Sequence, residues 1–331
     1  MQKLNNPELQ FSIQAVRQAA RLVKQVQAEM VSPALTKEDL SPVTVADFAS
    51  QALVAHLLAE AFPQDVLVGE EDAGALRLEN GRAALEQVTH FVSIFAPRTT
   101  PEKVCAWIDR GAADPVQRFW TLDPIDGTKG FLRGDQYVVA LALIVDGQVQ
   151  VGVLGCPNLV DGYQPVMGGQ GSLVFAERGS GAWAAPLEDP TDDVRQLRVS
   201  ERRQPSEARL LRSFESGHTN VSQIDLFAEA LGVTAEPVRM DSQARYAMLA
   251  AGGGEIYLRL LSASKPDYKE KIWDQAAGSL LVEEAGGQVS DLVGRRLDFG
   301  VGRTLSNNRG VLATNGFLQS AALKALRAIQ A

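Results

Sequence analysis

The sequence predicts a mixed α/β protein in which an α+β half is followed by an α/β half. Three observations carry that expectation. Two hairpins with glycine turns occupy residues 137–184, two apolar-periodic helices precede them, and strands and helices alternate from about residue 195 onward. The halves should meet near residues 156–195, with residues 1–160 as the first subdomain and 161–331 as the second.

In order along the chain, Phe11, Val16, Ala19, Ala20, Val23 and Val26 recur at near-helical spacing, which predicts a helix over 8–30. A second helix, "TVADFASQALVAHLLAEAF", has Thr44 as its cap and Phe48, Leu53, Leu57 and Leu58 on its buried side, and Pro63 closes it. "DVLVGEED" reads as a short buried strand ending in three acids. Residues 80–118 form a helical or looped excursion with little pattern. "YVVALALIV" and "QVQVGVLG" flank Asp146-Gly147, a hairpin signal because both central residues of a type I′ turn need positive φ. "SLVFAERGSGAWA" is a second hairpin. Beyond it, strands are expected near 208–214, 236–240, 255–260 and 310–314, and helices near 221–231, 243–251, 274–285 and 316–329.

The formal net charge of −8 excludes a binder of nucleic-acid polymers, which needs a basic face to neutralise phosphates. A small phosphorylated molecule remains possible where divalent cations supply charge locally. Cys105 and Cys156 have no metal-type spacing, which argues for a reducing compartment. With neither a signal-peptide pattern nor a run of membrane-spanning length, the expectation is a cytoplasmic protein without a membrane partner.

The acids carry the chemistry. An apolar strand runs into Asp123, Pro124, Ile125, Asp126, Gly127 and Thr128. Pro124 holds Asp123 extended and Gly127 permits a sharp turn, so both carboxylates and the Ile125 carbonyl could face one point, with hard oxygens suited to Mg2+ or Mn2+. An EF-hand fails, because counting Asp123 as position 1 puts Gly134 where a bidentate Glu belongs. Taken singly, the segment also fits a turn closed by Asx hydrogen bonds. "VGEED", with Glu70, Glu71 and Asp72, also fits a solvated acidic turn, Asp274 fits an N-cap, and Asp47 fits an exposed helix acid. Trp273 and Cys156 read as buried packing residues.

In combination, "SPVTVADFASQALV", "VGEED", "LDPIDGTKGFLRG" and "IWDQAAGSLLVEEAGG", in this order, resemble the magnesium-dependent, lithium-sensitive phosphomonoesterases of the inositol monophosphatase superfamily. The longer run "DPIDGTKGFLRGDQYVVALALIVDG", with "GCPNL", "MDSQARY" and "IYLRL", is similar to the 3′(2′),5′-bisphosphate nucleotidases within it. The resemblance covers about residues 10–315.

That resemblance implies a layered α-β-α-β-α sandwich and a set of site residues. Glu70, Asp123 and the Ile125 carbonyl would hold one Mg2+, and Asp123, Asp126 and Asp274 a second. A third, weaker site would lie near Glu70, Mn2+ would be a substitute, and Li+ and Na+ would inhibit. Asp47 and Thr128 would orient and deprotonate the attacking water, while Glu71 would steady the ligands from behind. Thr128, His218, Ser242, Arg245, Arg259 and Asp274 would surround the substrate, though relatives often carry Lys where Arg245 stands. The implied reaction removes the 3′-phosphate of 3′-phosphoadenosine 5′-phosphate, with the 5′-phosphosulfate as a second substrate, in sulfur assimilation or nucleotide detoxification. The partner would be a small nucleotide, and the protein a monomer or homodimer. An inositol phosphatase with the same metal chemistry is the alternative enzyme, and a metal or nucleotide sensor the alternative outside catalysis.

Overall fold

The computed structural model describes residues 6–29, 35–36, 42–43, 45–166, 168–188, 194–214, 221–261 and 265–330. Helix α1 (Pro7–Glu29) buries Leu9, Ile13, Val16, Ala20 and Val23, spaced so that they line one face. A short ribbon of β1 (Leu35–Thr36) and β2 (Pro42–Val43) precedes α2 (Val45–Ala61). The first three turns of α2 are buried on all sides because the helix packs against α1 and against two later helices. The expected cap, Thr44, lies outside the described residues.

After β3 (Val66–Gly69), the weakly patterned stretch contains α3 (Arg82–Phe95) and α4 (Pro101–Asp109). Helix α4 begins as capping chemistry requires: the Thr100 side chain accepts from the Lys103 amide, and Pro101 occupies the first turn. Then come β4 (Arg118–Asp126), α5 (Thr128–Arg133), β5 (Val138–Val145) and β6 (Gln148–Cys156). Asp146 and Gly147 join β5 to β6 with φ of 51° and 70°, as a type I′ turn needs. A small ribbon, β7 (Leu159–Val160) with β8 (Gln164–Pro165), precedes the second hairpin, β9 (Ser172–Glu177) and β10 (Gly181–Pro186), and the edge strand β11 (Arg195–Gln196).

These strands form a seven-stranded sheet in the order β11-β10-β9-β6-β5-β4-β3, antiparallel except for the β3–β4 pair. A division at residue 160 would therefore cut the first sheet between β6 and β9. The hairpin that sequence reading assigned to the second half pairs with the first.

The second half contains β12 (Leu210–Arg212), α6 (Val221–Leu231), β13 (Val238–Arg239), α7 (Ala244–Ala250), β14 (Ile256–Arg259), α8 (Ala276–Glu284), β15 (Gln288–Ser290), β16 (Val311–Thr314) and α9 (Gln319–Ala328). Its sheet runs β13-β12-β14-β16-β15. Strand β15 was not expected from the sequence: three residues following Gly286-Gly287 are too few to display a period.

Alternation along the strands assigns the layers. Val139, Leu141 and Leu143 of β5 join the core beneath α1 and α2, whereas Val138, Ala140, Ala142 and Ile144 join the core with α7 and α8. In the second sheet, Leu211, Tyr257 and Ala313 face α7 and α8, while Leu210, Ile256, Leu258 and Leu312 face α6 and α9. The result is the expected α-β-α-β-α sandwich, with α7 and α8 between the two sheets. Strand β6 admits helices on both faces through two glycines. A Cβ at Gly152 would lie 2.8 Å from the Ala277 carbonyl of α8, and one at Gly155 would lie 2.8 Å from Val16 Cγ1 of α1.

Gly152→Val should therefore destabilise the fold by about 1–3 kcal/mol, because the clash is with helix backbone that cannot swing aside. Urea denaturation measures it; an unchanged midpoint would show that α8 has room to withdraw.

Candidate active site

The two aspartates of β4 reach one side of the sheet because of a bulge. Pairing with β5 is regular up to Asp123–Ala140 and resumes at Asp126–Val138, so Pro124 and Ile125 stand opposite the single Val139. In an unbroken strand, residues three apart point to opposite faces. The extra residue restores parity, and Asp123 and Asp126 share the face of Ala140 and Val138, toward α7 and α8. Ile125 packs into the other core, beneath α2. Ser50 Oγ donates to the Pro124 carbonyl at 3.0 Å, fixing the bulge from α2. Gly127, with φ of 94°, turns the chain into α5; a Cβ there would lie 3.0 Å from Ser242 Cβ. The Thr128 hydroxyl donates to the Ile125 carbonyl at 3.3 Å.

Because β3 and β4 are parallel, the Glu70-Glu71 segment leaves the sheet at the same end as Asp123 and Asp126. Gln51, buried in α2 one turn after Asp47, clamps that segment. Its Nε2 donates to the carbonyls of Glu71 at 2.6 Å and Ile108 at 2.8 Å, and its Oε1 accepts from the Glu71 amide at 3.0 Å. From the second half, Gln243 reaches Asp126 and the residue that precedes Asp274. Its amide N–H donates to Asp126 Oδ2 at 2.6 Å, and its side chain donates to the carbonyl of Trp273, next to Asp274, at 3.0 Å.

The acids are close enough to perturb one another. Burial pushes the Asp123 carboxyl well above the usual carboxylate range, and the charges of Glu70, Asp126, Asp274 and Asp47 push it further. Asp274 is likewise raised well above that range by burial, then by Asp126, Glu70 and Glu270 against the pull of Arg259. Asp126 is raised by burial, with Arg245, the Gln243 amide and Arg259 opposing.

Arg245 is buried, donates through Nε to the Ser242 carbonyl at 3.0 Å, and lies with its guanidinium carbon 4.6 Å from the Tyr257 ring centroid. Ser242 itself is buried with φ of 62°. Arg259 Nη2 lies 2.7 Å from Glu270 Oε2, an oxygen that also accepts from Gln275 Nε2 at 2.9 Å; Tyr246 donates in turn to Gln275.

Asp123 Oδ1 is buried without a hydrogen-bond partner among the described residues. A carboxylate oxygen left in that state amid other acids has the chemistry of a cation ligand, so the donor set fits a hard divalent ion. Among the described residues, however, no three histidine, cysteine or carboxylate side chains are already gathered as a ligand set. The fit thus rests on donor type and on the orphaned oxygen.

The profile of the inositol monophosphatase family matches residues 5–331. The chain belongs to the inositol monophosphatase family. Similar proteins named 3′(2′),5′-bisphosphate nucleotidase include one from Schizosaccharomyces pombe, 43% identical over 92% of this chain and 91% of that protein. Another, from Oryza sativa, is 42% identical over 98% and 96%. Among solved structures, the IMPase of Thermotoga maritima matches with a TM-score of 0.66 at 20% identity, covering 98% of both chains. The inositol monophosphatase of Anabaena matches with 0.64 at 20%, covering 99% of this chain and 97% of that one. At these identities the structural likeness bears on the fold alone.

For this member of the inositol monophosphatase family, the site residues expected from sequence fall as follows. Asp47, Glu70, Asp123, Asp126 and Asp274 come together electrostatically, and Thr128, Ser242, Arg245 and Arg259 adjoin them. His218 lies outside the described residues. Asp47 is not the exposed acid that its helix position implied; it is 2% exposed, because α2 is buried on all sides at this end. Asp274 does not cap α8, since Gln275 occupies that position. Trp273 and Cys156 are buried, as expected, and burial raises the Cys156 thiol. Gln51, Gln243 and Glu270 were missed. The available signals were a glutamine in an apolar helix four residues after Asp47 and a glutamate four residues before Asp274, but neither reveals its distant partner.

In chelating buffer, stability should fall as pH rises above the ordinary carboxylate range toward neutrality. There the folded chain holds protons on Asp123, Asp126 and Asp274 that the unfolded chain has released, so the slope of unfolding free energy against pH is negative. Asp123→Asn removes one contributor, so it should flatten that slope and raise the neutral-pH melting temperature. A melting profile that overlays wild type would contradict the mutual repulsion.

Proposed function

We propose that this protein is a Mg2+-dependent phosphomonoesterase that converts 3′-phosphoadenosine 5′-phosphate to AMP and phosphate, and that it also accepts the 5′-phosphosulfate. The observation that carries this reading is the buried Asp123 oxygen, which has no hydrogen-bond partner among the described residues and lies in the field of Glu70, Asp126, Asp274 and Asp47. The names of the 40–43% identical relatives support the nucleotide as substrate.

Glu70, Asp123, the Ile125 carbonyl, Asp126 and Asp274 would hold the ions, which when bound supply positive charge to the phosphoryl oxygens and lower the pKa of a water. The chain's own residues do the rest. Asp47, in the first turn of α2, is the base that takes the proton of the attacking water. Thr128 orients that water with its hydroxyl, whose position is set by the Ile125 carbonyl. Arg245 and Arg259 bring cationic charge to the Asp126 side, where a second phosphate of a nucleotide can be held by donors in a planar fork. Glu270 holds Arg259 in one orientation.

Specificity is the test. Arg259→Ala would strand Glu270 as a buried unpaired charge, so Arg259→Lys is the cleaner variant: it keeps the charge and loses the fork. It should lower kcat/KM for 3′-phosphoadenosine 5′-phosphate by about tenfold, the effect of one charge-assisted contact, and leave inositol 1-phosphate nearly unchanged. Equal losses on both substrates, or a wild type that prefers inositol 1-phosphate, would replace the nucleotidase reading with an inositol phosphatase.

Li+ on the order of millimolar should inhibit turnover, because a small monovalent ion occupies a Mg2+ position without its charge. Steady-state rates indifferent to tens of millimolar Li+ would count against that subfamily.

A further inference from the structure

The Glu70 and Asp274 segments lie in different halves of the chain, and one side chain spans them. Residues 303–305 run antiparallel to 270–272: Lys271 pairs with Thr304, the Ile272 amide donates to the Arg303 carbonyl at 3.2 Å, and the Leu305 amide donates to the Glu270 carbonyl at 2.8 Å. From this ladder the Arg303 side chain crosses to the first half. Its Nη2 donates to the Gly69 carbonyl at 2.5 Å, and its Nη1 donates to the carbonyls of Gly111 at 3.1 Å and Ala113 at 2.8 Å. The guanidinium carbon lies 5.1 Å from the Trp273 ring centroid. Gly69 immediately precedes Glu70, and Trp273 immediately precedes Asp274.

We propose that Arg303 is a positioning residue that sets the spacing between the Glu70 and Asp274 carboxylates and thereby the cation affinity of the site. The proposal rests on the reading that these acids hold divalent cations.

Geometry, rather than charge, is how Arg303 acts. The arginine charges that bear most on Asp126 are those of Arg245 and Arg259, and Arg259 is the one that bears most on Asp274, whereas the acid that influences Arg303 is Asp114. Its hydrogen-bond partners are backbone carbonyls, three of them served at once by a rigid planar fork while one face packs on an indole. Lysine has no such fork.

The far anchor is firm. The Gly69 amide donates to the Gly111 carbonyl at 2.8 Å, and Val68 pairs with Ala112. Gln51 is packed so tightly against this seam that a Cβ at Gly69 or Gly111 would lie 2.5 Å or 2.4 Å from its amide atoms. Gly69 cannot drift toward α2, so a change at Arg303 is felt by the Trp273-Asp274 segment.

The test is Mn2+ titration followed by electron paramagnetic resonance on wild type, Arg303→Lys and Arg303→Met, with thermal melts to establish folding. Both folded variants should bind Mn2+ roughly 10- to 100-fold more weakly than wild type, as for residues that orient metal ligands from behind. In turnover they should lose kcat while the nucleotide KM holds. A role in fold stability alone would lower the melting temperature and leave Mn2+ affinity unchanged, and that result overturns the proposal. Full affinity in Arg303→Lys also overturns it, because charge would then suffice; this variant decides the matter if Arg303→Met does not fold. A wild type that binds no Mn2+ at millimolar concentration defeats the cation reading itself, before any variant is compared.

Discussion

Carboxylates held together in a poorly solvated corner repel one another, and much of the architecture around Asp123 opposes that repulsion. Three chain segments bring the acids in: the start of α2, the ends of the parallel pair β3 and β4, and the turn before α8. Each is tied down by groups that do not titrate in the ordinary range. Ser50 holds the bulge, Gln51 holds the Glu71 backbone, and Gln243 holds both Asp126 and the residue before Asp274. Amide side chains suit this work because they supply donors and acceptors without adding charge to a site already overloaded with it. Asp123 Oδ1, left without a hydrogen-bond partner among the described residues, is what these ties do not satisfy.

Much of this was legible in the sequence because the acids sit on local grammar. Asp-Pro-Ile-Asp-Gly-Thr announces a strand end and a turn within six residues, though the bulge between Asp123 and Asp126 shows only in the pairing with β5, and Asp146-Gly147 announces its own hairpin. The two longest helices, α1 and α2, were visible through their periodicity, with ends within a residue or two, whereas the 14-residue α3 lay unread in the weakly patterned stretch. The illegible parts share one physical character, which is dependence on a distant partner. Asp47 looked like a surface acid because nothing local says that α2 is covered on all sides. Glu270 sits between Lys269 and Lys271, and nothing local to it points to Arg259, its partner. Residue 160 falls within the first sheet because a hairpin carries no label saying which sheet it will join.

The pairing of Arg259 with Glu270 refines how the basic residues are understood. A free arginine in a pocket would attract any phosphate. One already satisfied on one edge by a buried carboxylate, itself fixed by Gln275, offers a ligand only its remaining donors and a reduced net charge. Selectivity among phosphorylated ligands would then depend more on where a phosphate oxygen falls than on total charge.

Gly152 has a consequence of another kind. It lets α8 approach β6 at Ala277 with no side chain between the two backbones at that point. Shear of α8 along β6 would carry that close contact onto a residue with a side chain, which resists translation of the helix that follows Asp274. Adjustment to a ligand is then easier at the rim than across this contact. Such an arrangement favours a reaction in which the chemistry is done by fixed charges and the moving part is the ligand.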